Sequence, residues 1–266
     1  PAAVEVGKVV VARLEDDAQV VGSLRALQSV VLRPEVSGRV LRLGFTDGQR
    51  VKRGQLLLQL DDTLQQAQLK QAEAQAGIAR TNLQRSRELA AQNFVSQSAV
   101  DQNAAALEVA QAQVALAQAQ LQRMRVVAPF DAMAGIRTVN VGDYVKDGAD
   151  VVALEDTSAL YIDFKLPERY VARIRGGHPV QAAIDALPGR SYAGRVTALD
   201  ATIDANGRAL LVRARLDNRG GELRPGMFAR VRVVFDVREK ALLVPEEALV
   251  PVGVREFLFT VVDGPD

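Results

Sequence analysis

The 266-residue sequence contains no cysteine, no tryptophan and a single histidine, His178. Without thiols there is no thiolate metal site, cysteine nucleophile or disulfide, and any Ser-His-Asp set would have to be built on that one imidazole. The lack of disulfides suits the cytosol and a bacterial periplasm equally. Aromatic residues are scarce at 5%, so anchors for base stacking or for a large flat ligand are few and aliphatics carry the packing. Neither sign of charge dominates: 33 Lys and Arg against 32 Asp and Glu leave +1, which gives no overall attraction to nucleic acid or anionic lipid. No run approaches the roughly 18 apolar residues of a membrane span, and no charged-then-apolar leader opens the chain, so the segment reads as soluble. What remains, 48% hydrophobic and 24% charged residues, is ordinary for globular protein. The length favours two units, or several small ones threaded together.

The chain repeats itself at an offset of 94 residues. Gly48 to Thr63 reads GQRVKRGQLLLQLDDT and Gly142 to Thr157 reads GDYVKDGADVVALEDT, with seven of sixteen positions identical. Each copy has a Gly turn, a short strand through Val51 or Val145, a second Gly turn, and a strand of aliphatics ending at an acid. Gly38 precedes the first copy and Gly135 the second, each beside β-prone runs, Arg39 to Phe45 and Ile136 to Val141. Two such halves facing each other would bury aliphatic faces that neither buries alone.

Between the copies, residues 62–125 are rich in Ala, Gln, Leu and Arg and free of proline until Pro129, a helical composition. Leu69, Ala72, Ala76, Ala79, Leu83, Ser86 and Ala90 recur at alternating steps of three and four. Val100, Asn103, Leu107, Ala110, Val114, Ala117, Leu121 and Met124 do the same. This is the seam of a coiled coil, and the break at Gln92 to Gln97, with Ser96 as N-cap, makes it an antiparallel hairpin. Arms of about 30 residues would reach about 45 Å, too long to pack on a small β core. A second line on the second arm, Ala105, Val109, Ala112, Leu116 and Ala119, lies opposite the seam. It reads either as lateral packing on a neighbouring protomer's hairpin, through Val109, Ala112 and Leu116, or as exposed alanine in a good helix former. The rest of the chain reads as strands: Val4 to Val11, Leu160 to Leu166, Pro179 to Ile184, Tyr192 to Leu199, Leu210 to Leu216, Met227 to Phe235 and Ala241 to Val244, divided by Gly, Pro, Asp and Asn turns.

Two lipoyl-type halves, a helical hairpin between them and a β-rich segment containing Arg224-Pro225-Gly226-Met227-Phe228 resemble the periplasmic adaptor (membrane fusion, HlyD-like) proteins of tripartite efflux pumps, most closely the resistance-nodulation-division (RND) class. Ala128-Pro129-Phe130-Asp131 resembles that family's return into the second half, with Ala132 where a glycine is usual. The resemblance covers essentially the whole chain. It implies an α+β, elongated, multi-module fold: a split lipoyl-like β-sandwich (30–61 and 126–157), an inserted antiparallel α-helical coiled-coil hairpin (62–125), a β-barrel (13–29 and 158–239) and an incomplete membrane-proximal β unit (1–12 and 240–266). Arg85, Leu89 and Ser96 fit the family's hairpin-tip pattern, with Phe94 and Val95 before the serine and Asp101 after it. The resemblance implies that these six residues dock on an outer-membrane channel. It further implies an inner-membrane transporter as second partner, self-association as a trimer or hexamer, a periplasmic location at the inner membrane, and a non-enzymatic role in export of drugs or small molecules without a cofactor or resident metal.

Three competing readings have specific residues. A lipoyl or biotinyl carrier would present a modified lysine where the two halves join, but the helical arm occupies that joint and Lys52 and Lys146 lie inside the half-motifs on expected exposed turns. An adaptor of a heavy-metal or ABC-type pump is an alternative; Met124, Met133 and Met227 are widely spaced and suit packing roles, Met124 in the seam. His178, in a Gly-Gly-His-Pro turn, reads as solvated rather than as a pH switch.

Overall fold

A computed structural model describes residues 6–253 and 255–261. Of the expected strand Val4 to Val11, Val4 and Glu5 lie outside the described residues, as do 1–5, 254 and 262–266 of the expected terminal unit. The chain divides into two compact units, one of residues 26–158 and one of the flanking residues up to Arg25 and from Ala159. The first strand, β1 (Val10–Ala26), belongs mainly to the latter.

Within 26–158 the repeat folds by exchange. The first copy supplies β2 (Ser29–Leu32), β3 (Gly38–Leu43), β4 (Arg50–Val51) and β5 (Leu56–Leu60). Two helices follow, α1 (Thr63–Ala91) and α2 (Gln97–Gln122). The second copy supplies β6 (Arg125–Val127), β7 (Ala132–Ala134), β8 (Tyr144–Val145) and β9 (Val152–Glu155). The strands form two four-stranded sheets, β2-β9-β7-β4 and β6-β5-β3-β8, each drawing on both copies. The cross-copy hydrogen bonds obey the sequence offset. Gly54 donates its amide to the Ala128 carbonyl at 2.8 Å and Gly148 to that of Pro34 at 2.9 Å; Gly48 donates to Ala134 at 3.1 Å and Gly142 to Val40 at 2.9 Å. These four glycines have φ between +71° and +97°, the left-handed region where a Cβ is strained, so the shared glycines are dictated by the turns. Leu57, Leu58 and Leu60 from one copy and Val151, Val152 and Leu154 from the other fill a common core.

The structure corrects the reading of the second copy's start. The run Ile136 to Val141 is not a strand; the strand is Ala132–Ala134, which the 94-residue offset sets against Gly38 and which pairs with Arg50–Val51. Gly135 marks the strand's end, its amide bound to the Ala153 carbonyl at 2.8 Å. Ala132, at the family's glycine position, is a buried residue in regular pairing with Val51.

The two helices pack along the expected seam. In α1, Ala72, Ala76, Leu83 and Ser86 are buried and Leu69, Ala79 and Ala90 half-buried; in α2, Val100 and Ala117 are buried and Asn103, Leu107, Ala110, Val114 and Leu121 half-buried. Nearly all other positions on both helices are exposed, as expected when two helices shield only a heptad stripe. Met124 departs from the expected seam role: α2 ends at Gln122, and Met124 enters the sheet core beside Ala128.

In the other unit, β10 (Ala159–Pro167), β11 (Pro179–Ala183), β12 (Ser191–Asp204), β13 (Ala209–Asp217) and β14 (Phe228–Leu243) close a barrel with β1 in the order β1-β10-β13-β12-β11-β14. Alternate residues point inward, so Leu160, Ile162, Phe164 and Leu166 of β10 meet Leu210, Val212, Ala214 and Leu216 of β13 in a fully enclosed core. The Arg224-Pro225-Gly226-Met227-Phe228 stretch is a turn: the Gly226 amide donates to Leu24 at 2.9 Å and the Leu24 amide to Met227 at 2.8 Å, seating Met227 against the core. Outside the barrel, Arg213 grips Asp163 with two bonds of 2.7 and 2.8 Å. Arg232 bonds Asp17 at 2.8 Å and lies 2.9 Å from Glu15. The strands β1 and β14 stay paired well beyond the barrel core, out to Val10 opposite Leu243. A hairpin of β15 (Leu249–Val252) and β16 (Arg255–Leu258) follows.

His178 is not the solvated side chain expected of a Gly-His-Pro turn. Its carbonyl accepts the Val196 amide at 2.9 Å, which draws the turn onto the barrel. There the ring sits edge-on to Phe235, which Tyr170 stacks at 5.2 Å, and Nδ1 is enclosed without a hydrogen-bond partner among the described residues.

Candidate functional site

The closed end of the hairpin holds the six expected docking residues. Helix α1 terminates because Asn93 adopts φ +60°, a left-handed conformation that Asn tolerates better than most side chains. The Asn93 amide then donates to the Ala90 carbonyl at 2.9 Å and the Phe94 amide to the Leu89 carbonyl at 2.9 Å. This pair of reversed bonds is a Schellman ending, which satisfies carbonyls that a helix otherwise leaves bare. It carries Phe94 out of the helix into solvent, 72% exposed. Two residues later Ser96 caps α2 in extended conformation, its hydroxyl accepting the Ala99 amide at 3.4 Å. The expected cap is therefore present.

Arg85 and Leu89 lie one turn apart, on the same side of α1. Leu89 is 36% exposed, and Arg85 is exposed with no ion pair to any described residue. Val95 is half-buried under the turn. Asp101 faces solvent and accepts a 3.0 Å bond from the Gln97 amide nitrogen. The structure thus gathers all six within the two turns bordering the reversal, where two exposed apolar side chains stand beside an unpaired guanidinium. Such a surface can make a small apolar contact flanked by hydrogen bonds from a guanidinium.

The lateral positions are also outward. Val109 is 71% exposed and Leu116 52% exposed, with Ala112 exposed between them. The sequence reading missed their counterparts on α1, Leu64 and Ile78, two apolar residues off the seam and two heptads apart, both mostly exposed. The signal available was their displacement from the heptad line. Also missed was Gln59, a lone amide in the buried run Leu56–Leu60. Its bonds lie at the root of the hairpin.

Comparison with known proteins agrees with this architecture. The sequence model of the RND MFP barrel-sandwich hybrid domain matches residues 28–155, and that of the CusB-like β-barrel domain matches residues 159–236. An uncharacterized protein of Haemophilus influenzae is 34% identical over 229 residues, and the multidrug resistance protein MdtA of Escherichia coli is 31% identical over 250. Each alignment covers 86% of this chain and 60% of the relative, so the chain spans about three-fifths of the curated relatives it matches. The fold is shared with the crystal structure of a MacA-MexA chimera containing the Pseudomonas aeruginosa MexA α-hairpin domain, at a TM-score of 0.81 and 22% identity over 97% of both chains. Two consecutive family domains, in order and together spanning most of the sequence, make this chain a member of the RND-type membrane fusion protein family.

Proposed function

We propose that the chain is the adaptor of a tripartite efflux assembly: a non-enzymatic periplasmic spacer, held at the inner membrane, that joins an RND-type transporter to an outer-membrane channel. The observation that carries the reading is the hairpin end, where Leu89 and Phe94 are left exposed near Arg85 at the far end of a two-helix arm whose buried side chains lie along the seam between its own helices. A helix pair in a partner could continue the seam end to end at this point. Arg85 would donate to the channel's carbonyls or carboxylates, Leu89 and Phe94 would fill the apolar contact, Val95 would hold the turn, and Ser96 and Asp101 would border it.

In this reading Val109, Ala112 and Leu116 pack against the hairpin of a neighbouring copy in a trimer or hexamer. The expected membrane-proximal unit, of which residues 6–12, 240–253 and 255–261 are described, flanks the barrel of 13–29 and 158–239 along the sequence in this reading. The Escherichia coli relative is a multidrug resistance protein, which supports export of drugs or similar small molecules.

Copurification of the native complex from inner membranes tests the partners: an RND transporter is expected in stoichiometric amount, and an ABC-type pump in its place would redirect the assignment. Cysteines placed at 109 and 116 in this cysteine-free chain test the lateral contact. Links between protomers are expected in assembled pumps, and links confined to one protomer would remove that seam.

A further inference from the structure

At the root of the hairpin a polar cluster, buried at Gln59 and Asp62 and open to solvent at Gln66 and Arg125, binds both helical legs to one strand. Gln59, in β5, is 6% exposed, and Asp62, the residue preceding α1, is 7% exposed. The Gln59 Nε2 donates to Asp62 Oδ2 at 2.8 Å and to the Leu60 carbonyl at 3.1 Å. Its Oε1 accepts from Arg125 Nε at 2.9 Å. Gln66, one turn into α1, donates from Nε2 to Asp62 Oδ1 at 2.8 Å. Arg125 opens β6, three residues after α2 ends, and stands opposite Gln59 in the β5–β6 register. One amide is therefore bonded to the leg entering the arm and to the leg leaving it. Its orientation is fixed, since a flip would set donor against guanidinium and acceptor against carboxylate.

The repeat supplies an internal control. At the 94-residue offset Gln59 corresponds to Ala153 and Arg125 to Val31, and these two are likewise paired, in β9 and β2. Asp62 corresponds to Asp156, whose Oδ1 accepts the local Ser158 amide at 3.0 Å. The sheets therefore close equally well without the cluster. It exists only in the copy from which helices emerge, and burying it has a desolvation cost that needs a return elsewhere.

We propose that Gln59, Asp62, Gln66 and Arg125 form a lock that sets the direction in which the hairpin leaves its sheet domain, with Gln59 as the positioning residue on which both legs close. The lock deepens the adaptor reading and rests on it for its purpose: an arm that must meet a channel end has to point. The side chains act together at the buried centre, because losing Arg125 leaves the Gln59 oxygen without that bond and losing Gln59 takes one from the Asp62 carboxylate.

Paired spin labels on the full cysteine-free chain read this directly. Labels at Gln92 and Lys146 report hairpin against sheet, and labels at Lys52 and Lys146 report the sheet domain alone. Gln59→Ala, the residue the second copy already carries, should broaden the first distance distribution and leave the second narrow. Arg125→Met should act alike. Gln59→Glu should also broaden it by placing two carboxylates together, and adding Asp62→Asn should narrow it again in part, because the bond between positions 59 and 62 returns with donor and acceptor exchanged while the bond to the Leu60 carbonyl stays lost. Unchanged hairpin distances in both Gln59→Ala and Arg125→Met would overturn the lock, and so would equal broadening of the Lys52–Lys146 pair. Drug resistance measured in parallel separates the two levels. If the distances broaden as expected while Leu89→Asp retains full resistance, the lock stands and the docking role of the hairpin end falls.

Discussion

The amide of Phe94 donates to the carbonyl of Leu89 over 2.9 Å, and this bond closes the chain reversal between the two apolar residues that the hairpin end exposes. Leu89 contributes its carbonyl to the turn through backbone alone, so its side chain is free to be changed. Leu89→Asp should abolish efflux while costing under about 1 kcal/mol of stability, mostly from a carboxylate near a helix C-terminus. Arg85→Ala should lower resistance in the same direction but less, since solvent screens an exposed guanidinium. Gln84→Ala, which removes only a 3.1 Å surface bond to Glu88, should be silent. Growth in drug, with folding checked by circular dichroism, reads all three; full resistance with folded, exported Leu89→Asp protein would exclude the docking role.

The left-handed Asn93 predicts an asymmetry between two substitutions. Asn93→Gly should be neutral or slightly stabilising, whereas Asn93→Val should destabilise by about 1–2 kcal/mol, since a β-branched side chain is strained at φ +60°. Chemical unfolding of the two variants measures the difference. Equal stability would mean that the reversal does not need that conformation.

Seam and outer face should separate by mutation. Leu83→Ala removes a buried side chain between the helices and should cost about 2 kcal/mol, near the low end for buried leucine because a two-helix seam relaxes readily. Ile78→Ala, 64% exposed, should stay within about 0.5 kcal/mol in the isolated chain. Thermal melts followed at a helix wavelength compare them directly, and a larger loss for Ile78→Ala would contradict the assigned faces.

Asp17 gives the barrel an acid-sensitive element. Its hydrogen bond from Arg232 holds the carboxyl below the ordinary aspartate range, outweighing the upward push of burial. A carboxyl lowered in the folded state stabilises fully above the unfolded value near about pH 4, and that contribution is lost as pH falls through the folded value. Asp17→Asn should therefore lower stability at neutral pH and flatten the decline as pH falls below about 4. Urea midpoints across that range test it; parallel acid limbs for both proteins would remove Asp17 from the account.

Legibility in the sequence followed the range of the interactions. The identical Gly48/Gly142 and Gly54/Gly148 pairs announced the repeat because a positive φ constrains one residue locally. The seam from Leu69 to Ala90 was legible because a helix converts spacing into a face. Ser96 was legible as a cap for the same local reason. His178 was misread because its burial comes from Phe235, a residue 57 positions away whose neighbourhood no spacing reveals. The start of the second copy was misplaced at Gly135 because Ala132 looks nothing like Gly38, although strand exchange puts them in equivalent places. Gln59 was missed: it is a polar residue in an apolar run, but its partners depend on where two helices enter and leave.

The exchanged strands also dictate an order of events during folding. Every bond that closes the two sheets across the copies joins residues on opposite sides of the helical arm, so neither sheet can zip until the ends of the arm meet. For a flexible loop, that meeting would carry an entropy cost rising with the logarithm of its length. Two helices that fold onto each other from the reversal at Asn93 bring Thr63 and Gln122 together by short-range contacts alone, in the manner of a zip fastener started at its closed end. Adding or deleting whole heptads midway along both helices leaves that delivery unchanged. The length of the arm can therefore vary without renegotiating the sheets at its base.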